Sequence, residues 1–394
     1  MAHLIRTKAP INTYAMALTS FRNLLFVSQC THTIVKRAMA TSVKFTRITP
    51  TPSDDGSSPL SRSSHGISYL NNGKLVIYGG EHVARTPIED SSQSLWLAEK
   101  SSNNVWKWIN PMQKDDEEET CIMPPWRVAH SQAAVGDTVY IFGGRTGVDM
   151  SETAMNDMWK LQLSDEGEGG TPKAVWTEIK QDGDIPEARS FHKMIAIGSD
   201  LYLFGGVGGN GRLNDLWKFD TTTEKWKSLG NSVLRGRGGP NILSLSNTNE
   251  SDDVKIAIVA GFAGEETNDG HIYNNNKWEE KEMTGLENLR KRSVCAFGSM
   301  KGLGFLFGGE VAESTRGHEG AGGFANDLVI LDGETGALVE TIEQPKDEKE
   351  WPEPRGWGDA TTDGDDTFYT FGGLTGDDTA PKRLEDLWMG KISN

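Results

Sequence analysis

The sequence predicts an all-β fold, a six-bladed β-propeller whose ring is closed by a strand from near the N-terminus. One pattern occurs six times: an arginine, an apolar run, a second apolar run ending in a glycine pair, an aspartate–aromatic strand and a tryptophan strand. The period is long, since Gly79, Gly143 and Gly205 are 64 and 62 residues apart, so each unit holds several strands. The pattern runs from about residue 42 to residue 394. One closed ring of six units that pack against one another fits this length.

Opening arginines and glycine pairs define the repeats. The arginines are Arg62, Arg127, Arg189, Arg237, Arg292 and Arg355. The glycine pairs are Gly79-Gly80, Gly143-Gly144, Gly205-Gly206, Gly308-Gly309 and Gly372-Gly373, and Ala260-Gly261 takes this place in the fourth repeat. Repeats of roughly 50 residues with this glycine pair and a late tryptophan have the kelch pattern, in which each repeat forms one propeller blade.

The third repeat shows how a blade is predicted. Residues 190–197 form the innermost strand, residues 200–204 the second, and residues 214–219 a third, half-buried strand with alternating polarity. Trp226 begins the outermost strand. The glycine pair ends the second strand where a side chain would clash with a tight turn.

Ring closure is predicted from the two ends of the repeat region. The sixth repeat ends after its third strand, and the alternating segment Val43–Thr49 belongs to no repeat of its own. We therefore expect this segment to supply the fourth strand of the sixth blade, which removes two exposed sheet edges. The predicted domains are a leader, residues 1–40, and the propeller, residues 42–394.

The leader is basic. Residues 1–53 contain seven Lys or Arg and no Asp or Glu, which favours a mitochondrial or plastid transit peptide within residues 1–40. A disordered extension, or a start codon set too far upstream, is the alternative, and the protein is then expected in the cytoplasm. Arg22 interrupts the apolar stretch that a secretory signal would need, and no run is long enough to span a bilayer.

Charge and cysteine content exclude several classes of function. Beyond residue 53 the chain has 33 basic and 56 acidic residues, a net charge of −23 that would repel a nucleic acid. Cys30, Cys121 and Cys295 are far apart and odd in number. They predict no disulfide framework and suggest a reducing compartment.

One rim of the propeller is the predicted binding surface. In an antiparallel hairpin the first strand begins beside the end of the second, so the opening arginines should share a rim with the residues after the glycine pairs. These post-glycine residues are Glu81, Arg145, Val207, Phe262, Glu310 and Leu374. A mouth of arginines, a tryptophan and carboxylates suits an anionic small ligand or an acidic peptide. We expect Arg145, Trp357, Glu81 and Arg127 to bind substrate. Alternatively, each opening arginine bridges adjacent blades.

Two further groups of residues favour a structural interpretation. His65, His130 and His192 recur at one place in their blades, which would suit a metal ring but is more typical of packed strand residues. The acidic cluster of residues 264–271 lies where a third strand begins, with His271 at a usual aromatic position. We predict that both groups are structural.

The fifth blade carries a candidate metal site. A glycine-rich loop, residues 310–323, follows its glycine pair and contains Glu310 and His318. A carboxylate and an imidazole within eight residues can meet at one ion if the loop folds back. Oxygen and imidazole ligands with open positions fit Fe(II) or another divalent metal.

Residues 42–394 resemble the plant specifier proteins of glucosinolate breakdown: the epithiospecifier, nitrile-specifier and thiocyanate-forming kelch proteins. The matching stretches are residues 62–66, 140–145, 237–239, 309–311, 317–318 and 354–357. That family holds Fe(II) with a Glu-x-x-x-Asp-x-x-x-His motif, which falls on Glu310, Ser314 and His318 of this chain. Arg145 and Trp357 match an arginine and a tryptophan of the family's substrate pocket.

The resemblance implies a nitrile-specifier-like activity in which Glu310, His318 and Arg145 are catalytic, Fe(II) is the cofactor and the reaction is lyase-like. Ser314 departs from the family aspartate, and because a neutral hydroxyl is a poor ligand for a hard cation, weaker metal binding is expected. The alternative is a kelch propeller that acts as a protein–protein interaction module without metal chemistry.

Overall fold

The structure is a computed structural model that describes residues 41–112, 122–147, 154–164, 170–245, 254–280, 283–300 and 302–393. The predicted leader, Cys30 and Cys121 lie outside these residues. Six four-stranded antiparallel sheets form the blades, as predicted. Within the described residues, no helix has the length and apolar character needed to cross a bilayer.

Each of the first three blades runs from an innermost to an outermost strand in chain order. After β1 (Ser42–Ile48), the strands of these blades and their short ribbons are β2 (Gly66–Tyr69), β3 (Leu75–Tyr78), β4 (Glu81–Val83), β5 (Thr86–Pro87), β6 (Leu95–Lys100), β7 (Trp106–Ile109), β8 (Ser131–Val135), β9 (Thr138–Gly144), β10 (Met155–Leu163), β11 (Ala174–Ile179), β12 (Lys193–Ile197), β13 (Asp200–Phe204), β14 (Val207–Gly208), β15 (Gly211–Arg212), β16 (Asp215–Asp220) and β17 (Lys225–Asn231).

The last three blades follow the same order. Their strands and ribbons are β18 (Asn241–Ser244), β19 (Lys255–Phe262), β20 (Glu266–Asn274), β21 (Lys277–Trp278), β22 (Ala296–Met300), β23 (Leu303–Phe307), β24 (Glu310–Ala312), β25 (Gly323–Phe324), β26 (Leu328–Asp332), β27 (Leu338–Ile342), β28 (Asp359–Thr362), β29 (Thr367–Phe371), β30 (Leu374–Thr375), β31 (Lys382–Arg383) and β32 (Leu387–Ser393). Three single helical turns are also described: Ser91–Ser94, Leu286–Asn288 and Gly317–Glu319.

Strand β1 closes the ring, as predicted. It is the outermost strand of the sixth blade, whose order is β1-β32-β29-β28. Phe45 is 2 % exposed, and its ring contacts four aromatic rings of blades five and six. Those rings belong to Phe307, Trp351, Phe368 and Trp388. The first strand thus packs into the core between the two last blades.

Around the axis, six residues form a closed ring of hydrogen bonds, here called the axial ring. Each lies two positions after an opening arginine, has a φ between 47° and 58°, and donates its N–H to the carbonyl of the equivalent residue in a neighbouring blade, at 2.7–3.1 Å. The members are Ser64, Ala129, Phe191, Gly239, Val294 and Trp357. This left-handed backbone explains why strand β12 begins at Lys193 and not at residue 190.

The side chains of the opening arginines lie within the blades and do not line the mouth, which agrees with the structural alternative and not with ligand binding. All six are at most 2 % exposed. The Arg127 guanidinium donates to the carbonyl of Gly143 and pairs with both carboxylate oxygens of Asp157, at 2.9 and 2.7 Å, within its own blade. Its backbone carbonyl instead accepts the N–H of Gly80 from the preceding blade. Arg127 therefore connects strands and blades, and nothing in this geometry supports its predicted role in substrate binding.

Left-handed glycines let the blades approach at this point. Gly308 has φ +64°, and a Cβ there would lie 2.4 Å from the carbonyl oxygen of Arg355 in the next blade. A side chain at this position is therefore excluded both by its own backbone and by its neighbour.

Candidate functional site

A cavity of about 240 Å³ opens on the side of the glycine pairs. All six post-glycine residues line it, namely Glu81, Arg145, Val207, Phe262, Glu310 and Leu374. Each is held by a backbone bridge to the residue that follows the opening arginine of its own blade, such as Ser293 with Glu310. The predicted convergence of these positions is therefore present, and the axial-ring residues Phe191, Gly239, Val294 and Trp357 contribute to the same lining.

Arg145 and Trp357 lie in this cavity together, as the resemblance implies. Arg145 is 5 % exposed, its Nε donates to Oγ of Ser190 at 2.6 Å, and its guanidinium lies 5.4 Å from the centre of the Phe191 ring. The Phe191 and Trp357 rings meet edge to face at 5.7 Å. The cation of Arg145, from blade two, thus stands beside an aromatic wall formed by residues of blades three and six.

Arg212 is a cavity residue that the sequence analysis missed. It pairs across the β14–β15 ribbon with the post-glycine residue Val207, and its guanidinium lies 4.7 Å from the centre of the Phe262 ring. The signal that would have found it is this pairing, because the strand partner of a post-glycine residue faces the same mouth.

Glu310, the first residue of β24, lines the same cavity as Arg145 and Arg212. It is 8 % exposed, and one of its oxygens, Oε2, accepts a hydrogen bond from Nε1 of Trp357 at 3.1 Å. Burial raises the pKa of Glu310 to about 7, the Trp357 hydrogen bond opposes this, and the charge of Glu313 adds to it. Glu310 is therefore poised to bind a proton or a cation near neutral pH.

Within the acidic cluster of residues 264–271, Asp269 and His271 have the structural contacts that the prediction expects, and one further residue faces the cavity. Asp269 pairs with the opening arginine of its blade, Arg237, and His271 stacks on Trp278. Glu266, however, lines the cavity and is 7 % exposed. Burial raises the pKa of Glu266 to about 8, the hydrogen bond from the Ser293 hydroxyl lowers it, and the charges of Glu310 and Glu313 raise it.

Glu81 lines the cavity on the opposite side, where it is already neutralised. Its Oε1 accepts hydrogen bonds from Oγ of Ser63 at 3.1 Å and from Nη2 of Arg383 at 2.7 Å, and its Oε2 accepts from the backbone N–H of Arg85 at 2.8 Å. These hydrogen bonds fix the orientation of the Glu81 carboxylate in the cavity wall. Its predicted role in substrate binding stays a prediction.

The expected ligand set of the metal is only partly described. Ser314 lines the cavity, but its hydroxyl donates to Asp378 of blade six, whose other carboxylate oxygen accepts from the Thr315 N–H at 2.8 Å. These hydrogen bonds from the fifth-blade loop lower the pKa of Asp378. The His318 side chain lies outside the described part of the chain.

Carboxylate side chains on this part of the cavity wall are the other groups that could contact a cation. Among the described side chains, no three His, Cys, Asp or Glu residues converge closely enough to hold a metal ion. The cavity nevertheless has Glu266, Glu310 and Glu313 in its lining, and Oε2 of Glu266 is buried without a hydrogen-bond partner. Such an orphaned carboxylate oxygen is what a bound cation would satisfy.

The three recurring histidines pack on glycines, in agreement with the structural interpretation. The ring of His130 lies over Gly79 of the preceding blade, and the rings of His192 and His65 lie over the equivalent glycines. Nε2 of His192 donates to the carbonyl of Phe142 at 3.1 Å. Burial lowers the pKa of His130 to about 3, and the charge of Arg127 acts in the same direction.

We expect His130 to make stability depend on pH. Between pH 6.5 and 3 the unfolded chain binds a proton on this histidine that the folded chain does not bind, so stability falls as pH falls. The difference in free energy of unfolding between the wild type and His130→Leu should shrink by about 2 kcal/mol from pH 7 to pH 5. Urea unfolding at both pH values checks this, with His82→Leu, at an exposed position of strand β4, as the control. A difference that does not change with pH would contradict the buried neutral state.

Comparisons with known proteins agree with the kelch-repeat propeller. The family model of the KLHDC2/KLHL20/DRC7 Kelch-repeats domain matches residues 146–309. The N-(sulfonatooxy)prop-2-enimidothioate sulfolyase of Thlaspi arvense is 29 % identical over 328 residues, 78 % of this chain and 86 % of that protein. Residues 146–309 thus match a kelch-repeat domain, and the chain resembles a protein of the specifier type over most of its length.

Two other matches are informative about fold. Kelch domain-containing protein 1 of Mus musculus is 30 % identical over 187 residues, which are 44 % of this chain and 43 % of that protein. The solved structure of YjhT superposes with a TM-score of 0.59 at 16 % identity, over 86 % of this chain and 98 % of that chain. At that identity the likeness shows the fold alone.

Proposed function

We propose that this kelch protein is a nitrile-specifier-like protein that directs the breakdown of a glucosinolate-type aglucone towards a nitrile with the help of Fe(II). The observation that carries the proposal is the convergence of Arg145, Trp357 and Glu310 on one cavity of a propeller similar to the sulfolyase along most of its length. The activity would be lyase-like, because sulfate leaves without hydrolysis.

The cations would bind the sulfate of the substrate. Arg145 and Arg212 lie on neighbouring blades and both line the cavity. Their guanidinium groups can donate charge-assisted hydrogen bonds to sulfate oxygens, and these bonds strengthen as negative charge develops on the leaving group. Arg145 is oriented for this by Ser190 and Phe191.

The aromatic wall would decide the product. An aglucone that loses sulfate can form an isothiocyanate if its carbon substituent migrates to nitrogen. Phe191, Phe262 and Trp357 line the cavity and would confine that substituent, which disfavours migration. In the nitrile route the N–O bond breaks with its electron pair leaving on sulfate, the C–S electron pair becomes the third carbon–nitrogen bond, and sulfur leaves as neutral sulfur.

Glu310 and His318 would hold Fe(II), as the resemblance implies. Fe(II) would supply a Lewis acid that accepts the sulfur of the substrate. Glu310 keeps its orientation through the Trp357 hydrogen bond, so the same tryptophan orients the carboxylate and forms part of the substrate wall.

The test is a product ratio. The full-length protein, a myrosinase, allylglucosinolate and Fe(II) are combined under anaerobic conditions, and the nitrile and isothiocyanate are measured. We expect a protein-dependent rise in nitrile, and a fall of about 10-fold or more with Arg145→Met, since a charge-assisted hydrogen bond contributes about 1.5–3 kcal/mol. Glu178→Gln, on the exposed outer strand of blade two, is the control. No protein-dependent nitrile beside a working specifier would refute the proposal.

The second candidate is a protein–protein interaction module, which the match to the Kelch-repeats domain model favours. Its ligand would be an acidic peptide that binds at Arg145 and Arg212. Binding of such peptides, measured by fluorescence anisotropy and lost in Arg145→Met, together with no effect on product ratio, would favour this function.

A further inference from the structure

Glu266 occupies an unusual place for a carboxylate. It is the first residue of β20 and pairs with the post-glycine residue Phe262 across a tight hairpin. One carboxylate oxygen, Oε1, accepts a hydrogen bond from Oγ of Ser293 at 3.2 Å. The other, Oε2, is buried without a hydrogen-bond partner in the described structure, and the residue lines the cavity.

Ser293 connects Glu266 to Glu310. Its backbone exchanges two hydrogen bonds with that of Glu310, at 3.0 and 2.9 Å, while its hydroxyl is bound to Glu266. The two buried carboxylates therefore flank one residue and lie in one cavity, on blades four and five. Their positions are fixed by strands and not by the mobile tip of a loop.

Within the described residues neither carboxylate forms an ion pair, whereas Glu81 in the same lining pairs with Arg383 at 2.7 Å. The charges of Glu310 and Glu313 raise the pKa of Glu266, and the charge of Glu313 raises that of Glu310. Two like charges buried together are costly unless a proton or a cation is shared between them. Oxygen ligands of this kind suit a divalent metal.

We propose that Glu266 is a second carboxylate ligand of the divalent cation held by Glu310, supplied by blade four in place of the aspartate that Ser314 replaces. This inference rests on the metal site of the proposed function. It assigns the missing negative charge to a strand residue outside the fifth-blade loop. Ser314 then serves a different purpose, since its hydroxyl fastens that loop to Asp378.

The test measures metal binding without any turnover. Metal-free full-length protein is titrated with Mn(II), and the free ion is followed by electron paramagnetic resonance. We expect Glu266→Gln to raise the Kd about 10-fold or more, as Glu310→Gln should, because even the partners of metal ligands contribute 10–100-fold. Glu265→Gln is the matched control: it removes the same charge one residue away, from a side chain that is 57 % exposed. Its Kd should stay within about twofold of the wild type.

The outcomes separate this inference from the proposed function. Mn(II) binding that depends on Glu310 but not on Glu266 would overturn the inference, even if nitrile forms. Binding that depends on both, in a protein that yields no nitrile, would support the inference and refute the function. No Mn(II) binding by the wild type would overturn the inference directly. Thermal melting of Glu266→Gln confirms its fold, and because burial already disfavours the charged form of this carboxyl, its replacement by a neutral amide should not lower the melting temperature.

Discussion

Replacing Arg292 by alanine is expected to lower the free energy of unfolding by about 4 kcal/mol, because it leaves a buried carboxylate without its partner. Asp327 is 8 % exposed on its side chain and receives two hydrogen bonds from the guanidinium, at 2.7 and 2.9 Å. The same guanidinium donates to the carbonyl of Gly308 at 3.0 Å. All three acceptors would lose a donor at once. Urea unfolding monitored by tryptophan fluorescence measures the loss.

Two further variants make this prediction specific. Arg290→Ala removes an exposed arginine two residues away and should change stability by no more than about 0.5 kcal/mol. The double variant Arg292→Leu with Asp327→Leu should recover much of the loss, since a well-packed apolar pair can replace a buried ion pair. If the double variant is less stable than Arg292→Ala, the cost arises from packing and not from the unpaired carboxylate.

The same contact explains why the sequence predicts that the opening arginines lie at one rim of the propeller but does not show that their side chains are buried within the blades. Periodicity shows which residues share a level of the propeller, but not whether a long side chain at that level faces the axis or its own blade. In blades two to six an aspartate at or near the start of the third strand pairs with the guanidinium of the opening arginine. In blades two, three and six a tryptophan two residues later donates to that aspartate, as Trp159 does to Asp157 at 2.7 Å. The Asp-x-Trp motif can be recognised in the sequence. Its ion pair with the opening arginine becomes evident only in the folded structure.

Glu266 shows a second limit of the sequence analysis. Blade four lacks the glycine pair and has a tight hairpin after Phe262, so the chain returns to the cavity within four residues. In blade five the equivalent return is long, and Glu310 pairs with Phe324. Because the hairpins after the post-glycine residues differ in length, the number of residues between a post-glycine residue and its strand partner differs from blade to blade. A search of the repeat for recurring positions therefore finds Glu310 and overlooks Glu266.

Replacing Phe45 by alanine is expected to lower the free energy of unfolding by about 3–5 kcal/mol, as usual for a large aromatic side chain removed from a core. The ring is 2 % exposed and lies 4.7 Å from Trp351 and 5.1 Å from Phe307, measured between ring centres. Denaturant unfolding measures the effect. Lys44→Ala, an exposed change on the same strand, should be nearly neutral.

The aggregation behaviour of the Phe45 variant tests ring closure separately from core packing. Without its buried aromatic anchor, β1 should leave the sixth blade more often, and each departure exposes the edge of β32 and the apolar side chains beneath it. Phe45→Leu keeps most of the buried volume and should keep the oligomeric state of the wild type, whereas Phe45→Ala should form larger, concentration-dependent oligomers in light scattering before it unfolds globally. A variant that loses the full stability but keeps the oligomeric state of the wild type up to its unfolding transition would show that β1 acts as core packing and that the edge of β32 needs no cover.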